Sequence, residues 1–204
     1  PLPSRTNALV PALHWALGRA WSVLYDEPWR VVSSPDQEMR GSFLAYPQIV
    51  RLLMDRTYRR DVLATCPPKI GERSILADLD REYSLFEIAI ITRAGPARIL
   101  GLSHKGHLGP GADADITLYT PHENKETMFE MPRLVIKAGE VIVENGELRT
   151  APNGRTLHVA PTYDPTDEEH IREWFETCYS IRFRNYPVSD AYVHDAKVVA
   201  CGSK

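Results

Sequence analysis

The pattern of apolar residues changes at Gly101. Before it they recur at helical spacing, and after it they fall into short β-rich runs between turn residues. That order predicts an α/β chain whose helices come first and whose strands follow. Leu13, Leu17, Trp21 and Leu24 predict an amphipathic helix over residues 8–25, ended by Asp26-Glu27-Pro28. Trp29 to Ser33 reads as a short buried strand, and residues 34–45 as a loop. Tyr46-Pro47 opens the next helix, since proline's missing N–H costs nothing at the first helical position. Ile49, Leu52, Leu53 and Arg56 carry that helix on. Helix, strand, loop, helix is the grammar of a βα unit, found in a (β/α) barrel or an open parallel sheet. Thr65 to Lys69 is a breaker. Ser84-Leu85-Phe86-Glu87 is a capping box that opens an apolar helix over 84–94. Gly95-Pro96 interrupts it, and Gly101 is its C-terminal cap.

Beyond Gly101, strands are expected at 116–119, 134–137 and 141–143. Ala138-Gly139-Glu140 makes a hairpin loop, and Asn145-Gly146 is a second turn. Helical spacing returns over 166–183, with Ile171, Trp174, Phe175, Cys178 and Tyr179 on one face. Asp167-Glu168-Glu169 suits that helix's positive N-terminal end. Trp15, Trp21, Trp29, Trp174 and Phe175 sit at core-like spacings. The tail over 187–204 reads as mixed structure wrapping the surface.

Bulk properties exclude more than they assign. A net charge of -3 gives no reason to expect a nucleic acid or a membrane surface as partner. No apolar run approaches a membrane span. The opening PLPSRTNALV lacks both Met and a signal-peptide layout, and reads like the middle of a longer chain. Cys66, Cys178 and Cys201 are odd in number and far apart, which suits a reducing, cytoplasmic compartment and inert packing roles. Arg56, Arg59, Arg60, Arg182 and Arg184 read as solvated faces, with an acidic coenzyme tail or a partner protein as the other reading.

The run Gly106-His107-Leu108-Gly109-Pro110-Gly111-Ala112-Asp113-Ala114-Asp115-Ile116 reads as a turn leading into a strand, with the aspartates capping local amides. Preceded by Pro-Ala-Arg-Ile-Leu-Gly-Leu, it resembles the C-terminal region of the amidohydrolase superfamily, where the last barrel helix feeds a small β-sandwich. That motif suits dihydroorotases, hydantoinases and deacetylases equally. Other segments narrow the resemblance. They are Trp29-Arg30-Val31-Val32 leading to Asp36, Gly41-Ser42-Phe43, Tyr46-Pro47, Arg51-Leu52-Leu53-Met54 and Arg81 through Ala89. Together they resemble the amidohydrolase-type subunits of formylmethanofuran dehydrogenase and of the bacterial formyltransferase/hydrolase complex.

The resemblance implies the C-terminal portion of an amidohydrolase (β/α)8 barrel. Residues 1–101 would hold the last barrel strand and helices, 102–160 the β-sandwich strands, and 161–204 a helical tail. It implies hydrolysis or formation of N-formylmethanofuran, with formate and methanofuran on the other side. A binuclear zinc centre on histidines and a carboxylated lysine would activate the water. Asp36 falls where the family places a catalytic, metal-contacting carboxylate at the end of the last barrel strand, where barrel chemistry sits. Composition alone makes Ser33-Ser34-Pro35-Asp36 a turn, whereas the resemblance makes Asp36 catalytic. No substrate-binding residue is assigned. The implied partners are the other subunits of such a complex and the remainder of the barrel.

Two departures stand out. Gln37-Glu38-Met39-Arg40 replaces the His-Pro-Asn-Gly that follows this Asp in the family. No His-x-His pair occurs, and His14, His104, His107, His122, His158, His170 and His194 lack the ligand pattern. The other readings are therefore a scaffold component of the same complex that has lost its chemistry, or another amidohydrolase acting on cyclic amides or N-acyl groups.

Overall fold

The computed structural model describes residues 9–32, 43–161, 164–186 and 197–201. They divide into two compact units. The first takes in the described residues up to Ile99 together with Ser103–Ala151; the second holds Leu100–Leu102 and the described residues from Pro152 onward.

The first unit begins with α1, Leu9–Leu24, followed by a 3-10 turn at Pro28–Arg30. A second 3-10 turn at Phe43–Ala45 leads into α2, Tyr46–Met54. Helices α3, Arg56–Ala64, and α4, Pro68–Arg73, come next. One continuous helical run then comprises α5 (Leu85–Ala89), a π-helical turn (Ile90–Ala94) and α6 (Gly95–Ile99). The strand part has β1 (Ile116–Leu118), α7 (Lys125–Glu130), β2 (Leu134–Lys137), β3 (Glu140–Glu144) and β4 (Glu147–Leu148).

The expected strand at Trp29 is not formed over residues 29–32. The Trp29 amide donates to the Glu27 carboxylate, and the Arg30 and Val31 amides donate back to the Glu27 and Pro28 carbonyls. These groups are satisfied locally in a 3-10 turn, and the described residues place no strand beside them to form a ladder. The barrel is accordingly not closed. Ser33, Asp36 and Gln37 to Arg40 lie outside the described residues.

The buried face of α1 also differs from expectation. Ala12, Trp15, Ala16, Ala20 and Val23 are buried, while Leu17, Trp21 and Leu24 are exposed, Trp21 at 60%. The helix is apolar on both sides, so periodicity alone does not choose a face. The alanines let α1 pack closely against α4 and the 3-10 turn Ile75–Ala77. Trp15 fills the remaining gap with Leu52, Leu63, Ile70 and Leu76. A second cluster joins Val23, Val50, Leu53, Tyr83, Ile88 and Ile91. Trp29 and Trp174 are also more exposed than expected, at 40% and 58%.

The helix expected to run from Tyr46 through Arg56 breaks at Asp55. That residue ends α2 with extended backbone and caps α3 by accepting from the Tyr58 amide at 2.8 Å. Arg59 is the opposite of a solvated face. It is 1% exposed and donates to the carbonyls of Leu52, Leu79 and Arg81, each at 2.9 Å.

The capping box at Ser84 and Glu87 forms as expected. Gly95-Pro96 does not interrupt the helix. The Gly95 amide reaches back five residues to the Ile90 carbonyl, and this wider turn carries the helix past a residue with no N–H. Gly101 follows Ile99 with φ +69°, the left-handed conformation of a C-terminal cap.

Strands β1 to β4 form one antiparallel sheet in chain order. The β2–β3 hairpin turns on Ala138 and Gly139, and β3–β4 turns on Asn145 and Gly146, all four at positive φ. Helix α7 was not foreseen. Its signal is Asn124, whose side chain accepts from the Glu126 amide at 2.9 Å and caps a short run ending in Met128 and Phe129.

In the second unit β5, Leu157–Pro161, pairs in parallel with β6, Lys197–Cys201, so part of the expected surface tail is a strand. Helix α8 spans Pro165–Cys178, with Asp167 and Glu168 in its first turn, as their charge suits. Among the described residues of α8, none is buried. Phe175 instead meets Tyr179, Phe183 and Tyr186 in a local aromatic cluster. Cys66 is half-buried, which pushes its thiol pKa up; Cys178 is exposed rather than packed.

Candidate functional site

The chain on either side of the Asp36 stretch is described, and its leading side rests on the π-helical turn. Pro28–Arg30 packs against Ile90–Ala94 and α6. The Arg98 guanidinium lies 5.4 Å from the centre of the Trp29 ring. On the far side, Phe43 and Leu44 are exposed and lead into Tyr46. Burial pushes the Tyr46 phenol up, with Arg93 acting against it, so the phenol is protonated at neutral pH. Arg93 also donates to the Tyr119 hydroxyl at 3.3 Å. These groups offer hydrogen bonds and positive charge; none of them is a nucleophile.

A network of polar side chains holds the leading side. Arg81 donates to the Val23 carbonyl at the end of α1 (3.2 Å) and to the Glu87 carboxylate (2.6 Å). Its guanidinium lies 4.3 Å from the centre of the Tyr83 ring. The buried Tyr83 donates its hydroxyl to the Ser22 carbonyl, and its amide to the Leu53 carbonyl. Burial pushes the Glu87 carboxyl up, but bonds from Ser84 and the charge of Arg81 more than offset this, leaving it below the usual range. Reading by residue type missed the contacts of Arg81 and Tyr83. The available signal was Arg81 and Tyr83 standing directly before the capping box.

The glycine and aspartate motif is an electrostatic staple. Lys105 Nζ lies 2.7 Å from Asp113 and 2.6 Å from Asp115, and Asp115 also binds Lys137 Nζ and the Ala138 amide. It thereby holds the β2–β3 turn. Gly106, at φ +78°, sits so close to the helical run that an added Cβ would meet Ala97 Cβ at 2.8 Å and Ala94 Cα at 2.9 Å. Only glycine fits there. His107 is used locally, one ring nitrogen on the Ser103 carbonyl and the other on the Gly109 amide. His104 lies 3.8 Å from Asp113. Among the described residues, no group of three His, Cys, Asp or Glu side chains is placed to hold a metal ion.

The staple makes stability depend on pH. Burial raises the Asp115 carboxyl, but Lys105, Lys137 and the Ala138 amide more than reverse this and hold it well below the ordinary carboxylate range. Its contribution is therefore present above its unfolded value, about 3.9, and is lost as pH falls through the depressed folded value. Asp115→Asn is expected to lower stability at pH 7 and flatten its fall below about pH 4. Urea unfolding at stepped pH checks this; an unchanged acid profile would remove Asp115 from the account.

The fold and the motif define a class. A helical segment feeds a small antiparallel sheet through a glycine and aspartate turn, and the amidohydrolase family model matches residues 7–143. The chain belongs to the amidohydrolase family. Within it, the chain is a homologue of two particular proteins. It is 37% identical over 191 residues to FhcA, of the formyltransferase/hydrolase complex Fhc of Methylorubrum extorquens, covering 94% of this chain and 35% of that one. It is 38% identical over 202 residues to protein FwdA of Methanocaldococcus jannaschii, covering 93% and 35%. It also superposes, with a TM-score of 0.79 and 36% identity, on a chain in the crystal structure of the Methylorubrum extorquens FhcABCD complex with methylofuran, covering 98% of this chain and 37% of that one. The chain spans about a third of the length of these relatives.

Among the described residues, no helix is long and apolar enough to cross a membrane.

Proposed function

We propose that the full protein of which this chain forms part is the amidohydrolase component of a cytoplasmic formyltransferase/hydrolase-type complex, acting on the formamide of an N-formylated methanofuran-type coenzyme. The observation that carries the reading is the 37% identity to FhcA across nearly the whole chain. Residues 1–101 supply the end of the barrel, 102–160 strands of a β-sandwich, and 161–204 a tail.

The reaction needs a group that takes a proton from water and returns it to the leaving amine. Water oxygen bonds to the formyl carbon, the C–N bond breaks, and formate and free amine result. Asp36 is the carboxylate assigned to that proton, and to contact with the metal. The described residues do not fit a zinc pair, since no suitable donor group converges and His107 is occupied by backbone. The reading assigns a binuclear zinc centre to other parts of the full protein and the proton carrier to this chain.

The full protein, assembled with its partner subunits and given N-formylmethanofuran, should release formate; none would overturn the reading. Gln37-Glu38-Met39-Arg40 favours a second reading, a scaffold component of the same complex, and the same assay separates the two.

A further inference from the structure

We infer that the outer face of α1, formed by Leu17, Gly18, Trp21 and Tyr25, is an intramolecular interface, seated in the full protein against the part of the barrel that this chain does not contain. The inference rests on the reading of the chain as part of a longer amidohydrolase component, and it assigns that component a contact rather than a step of the reaction.

One side of α1 is already buried, through Ala12, Ala16 and Ala20. Leu17, Trp21 and Leu24 on its other side are exposed, as is Tyr25 just past its end. At about 100° per residue, positions 17, 21 and 24 fall in one stripe along the helix. Of the 16 residues of α1 only Arg19 carries a formal charge. A helix that meets water along one side carries charged residues there, whereas a helix apolar on both sides is buried on both.

Gly18 is a second observation. It stands in the middle of α1, where glycine costs stability relative to alanine. A Cβ added to it would meet nothing within 4 Å, so among the described residues nothing calls for glycine there. It lies three residues before Trp21 and seven before Tyr25, on the same face, and those two rings are 6.0 Å apart. The face is therefore a notch in the helix backbone beside a pair of aromatic rings, which suits a neighbour that approaches closely.

Three observations choose the occupant. About two thirds of the length of FhcA and FwdA lies outside the match. Helix α1 falls within residues 7–143, the stretch that matches the amidohydrolase family, and the described residues do not close a barrel. Within α1 no Asp, Glu or Lys borders the face. A contact between separately folded subunits has a polar rim, whereas a surface buried as one chain folds resembles a core.

The test uses the full-length protein in its complex. A photo-reactive benzophenone side chain installed in place of Trp21 should cross-link within its own polypeptide, to a segment outside the 204 residues of this chain. Cross-links to another subunit, to a second copy (told apart by mixing copies of two isotopic masses), to this chain's own residues, or to nothing overturn the inference. Hydroxyl-radical footprinting of the wild-type complex needs no variant. It should modify Trp21 as slowly as the buried Trp15, and much faster modification of Trp21 overturns the inference. Gly18→Leu should lower the thermal midpoint of the complex by about 2–10 °C through overpacking, and an unchanged midpoint overturns the close approach at Gly18. Formate release is kept apart from these readouts. An inactive complex that cross-links as expected overturns the proposed activity alone, and an active complex that cross-links elsewhere overturns this inference alone.

Discussion

Asp36→Asn in the full-length protein is expected to lower kcat for formate release by about 10²–10⁴-fold, the usual worth of a positioned general base. Asparagine keeps the shape of the side chain and its capacity to accept a hydrogen bond. It loses the negative charge and the ability to carry a proton from water to the leaving amine. Because Ser33-Ser34-Pro35-Asp36 also has the composition of a turn, the substitution discriminates well. Asparagine serves a turn about as well as aspartate does, so a structural role predicts near-normal activity. Steady-state formate release, with assembly checked by the mass of the complex, reads the result. Near wild-type kcat would return Asp36 to the status of a turn residue. A loss in that range with the complex intact would give it the chemistry, whatever the substituted Gln37 to Arg40 do beside it.

What the sequence disclosed, and what it did not, follows from how local each signal is. The capping box at Ser84, the turns at Ala138-Gly139 and Asn145-Gly146, and the cap at Gly101 are set by a few adjacent residues, and all were legible. The buried face of α1 depends on which neighbour arrives, and a helix apolar on both sides records no preference; the alanine face was chosen because it lets α4 come close. The strand at Trp29 failed for a related reason. A ladder requires a neighbouring strand, and with none among the described residues Glu27 and Pro28 bend the backbone into a 3-10 turn. Gly95-Pro96 misled because a π turn five residues long absorbs what an α-helix would not. The contacts of Arg59, Arg81 and Tyr83 were not legible either, since they run to carbonyls distant in the chain and leave no mark in residue spacing.

Arg59→Met is expected to have the largest effect on stability. The side chain is 1% exposed, and its three bonds go to neutral carbonyls, of Leu52 at the end of α2 and of Leu79 and Arg81 in the segment before α5. Desolvation pulls its pKa down from the usual arginine range, with Glu82, Asp55 and Asp80 acting in the opposite direction. Arginine nevertheless stays charged at any ordinary pH. Methionine fills much of the volume but leaves three carbonyls without a donor, at about 1–3 kcal/mol each. Against that stands relief from holding a charge out of water, a cost of several kcal/mol that the bonds now offset. The net expectation is a loss of about 3–5 kcal/mol. It should appear locally, as faster hydrogen exchange in α2, α3 and residues 78–84 by about 10²–10⁴-fold. Arg59→Lys should recover a fraction, since an ammonium has three donors but cannot span carbonyls on two segments with the same geometry. A loss under about 1 kcal/mol in Arg59→Met would mean that those carbonyls find water or each other. The joint between α2 and the Arg81 segment would then rest on apolar packing, Leu53 with Tyr83, rather than on a buried charge.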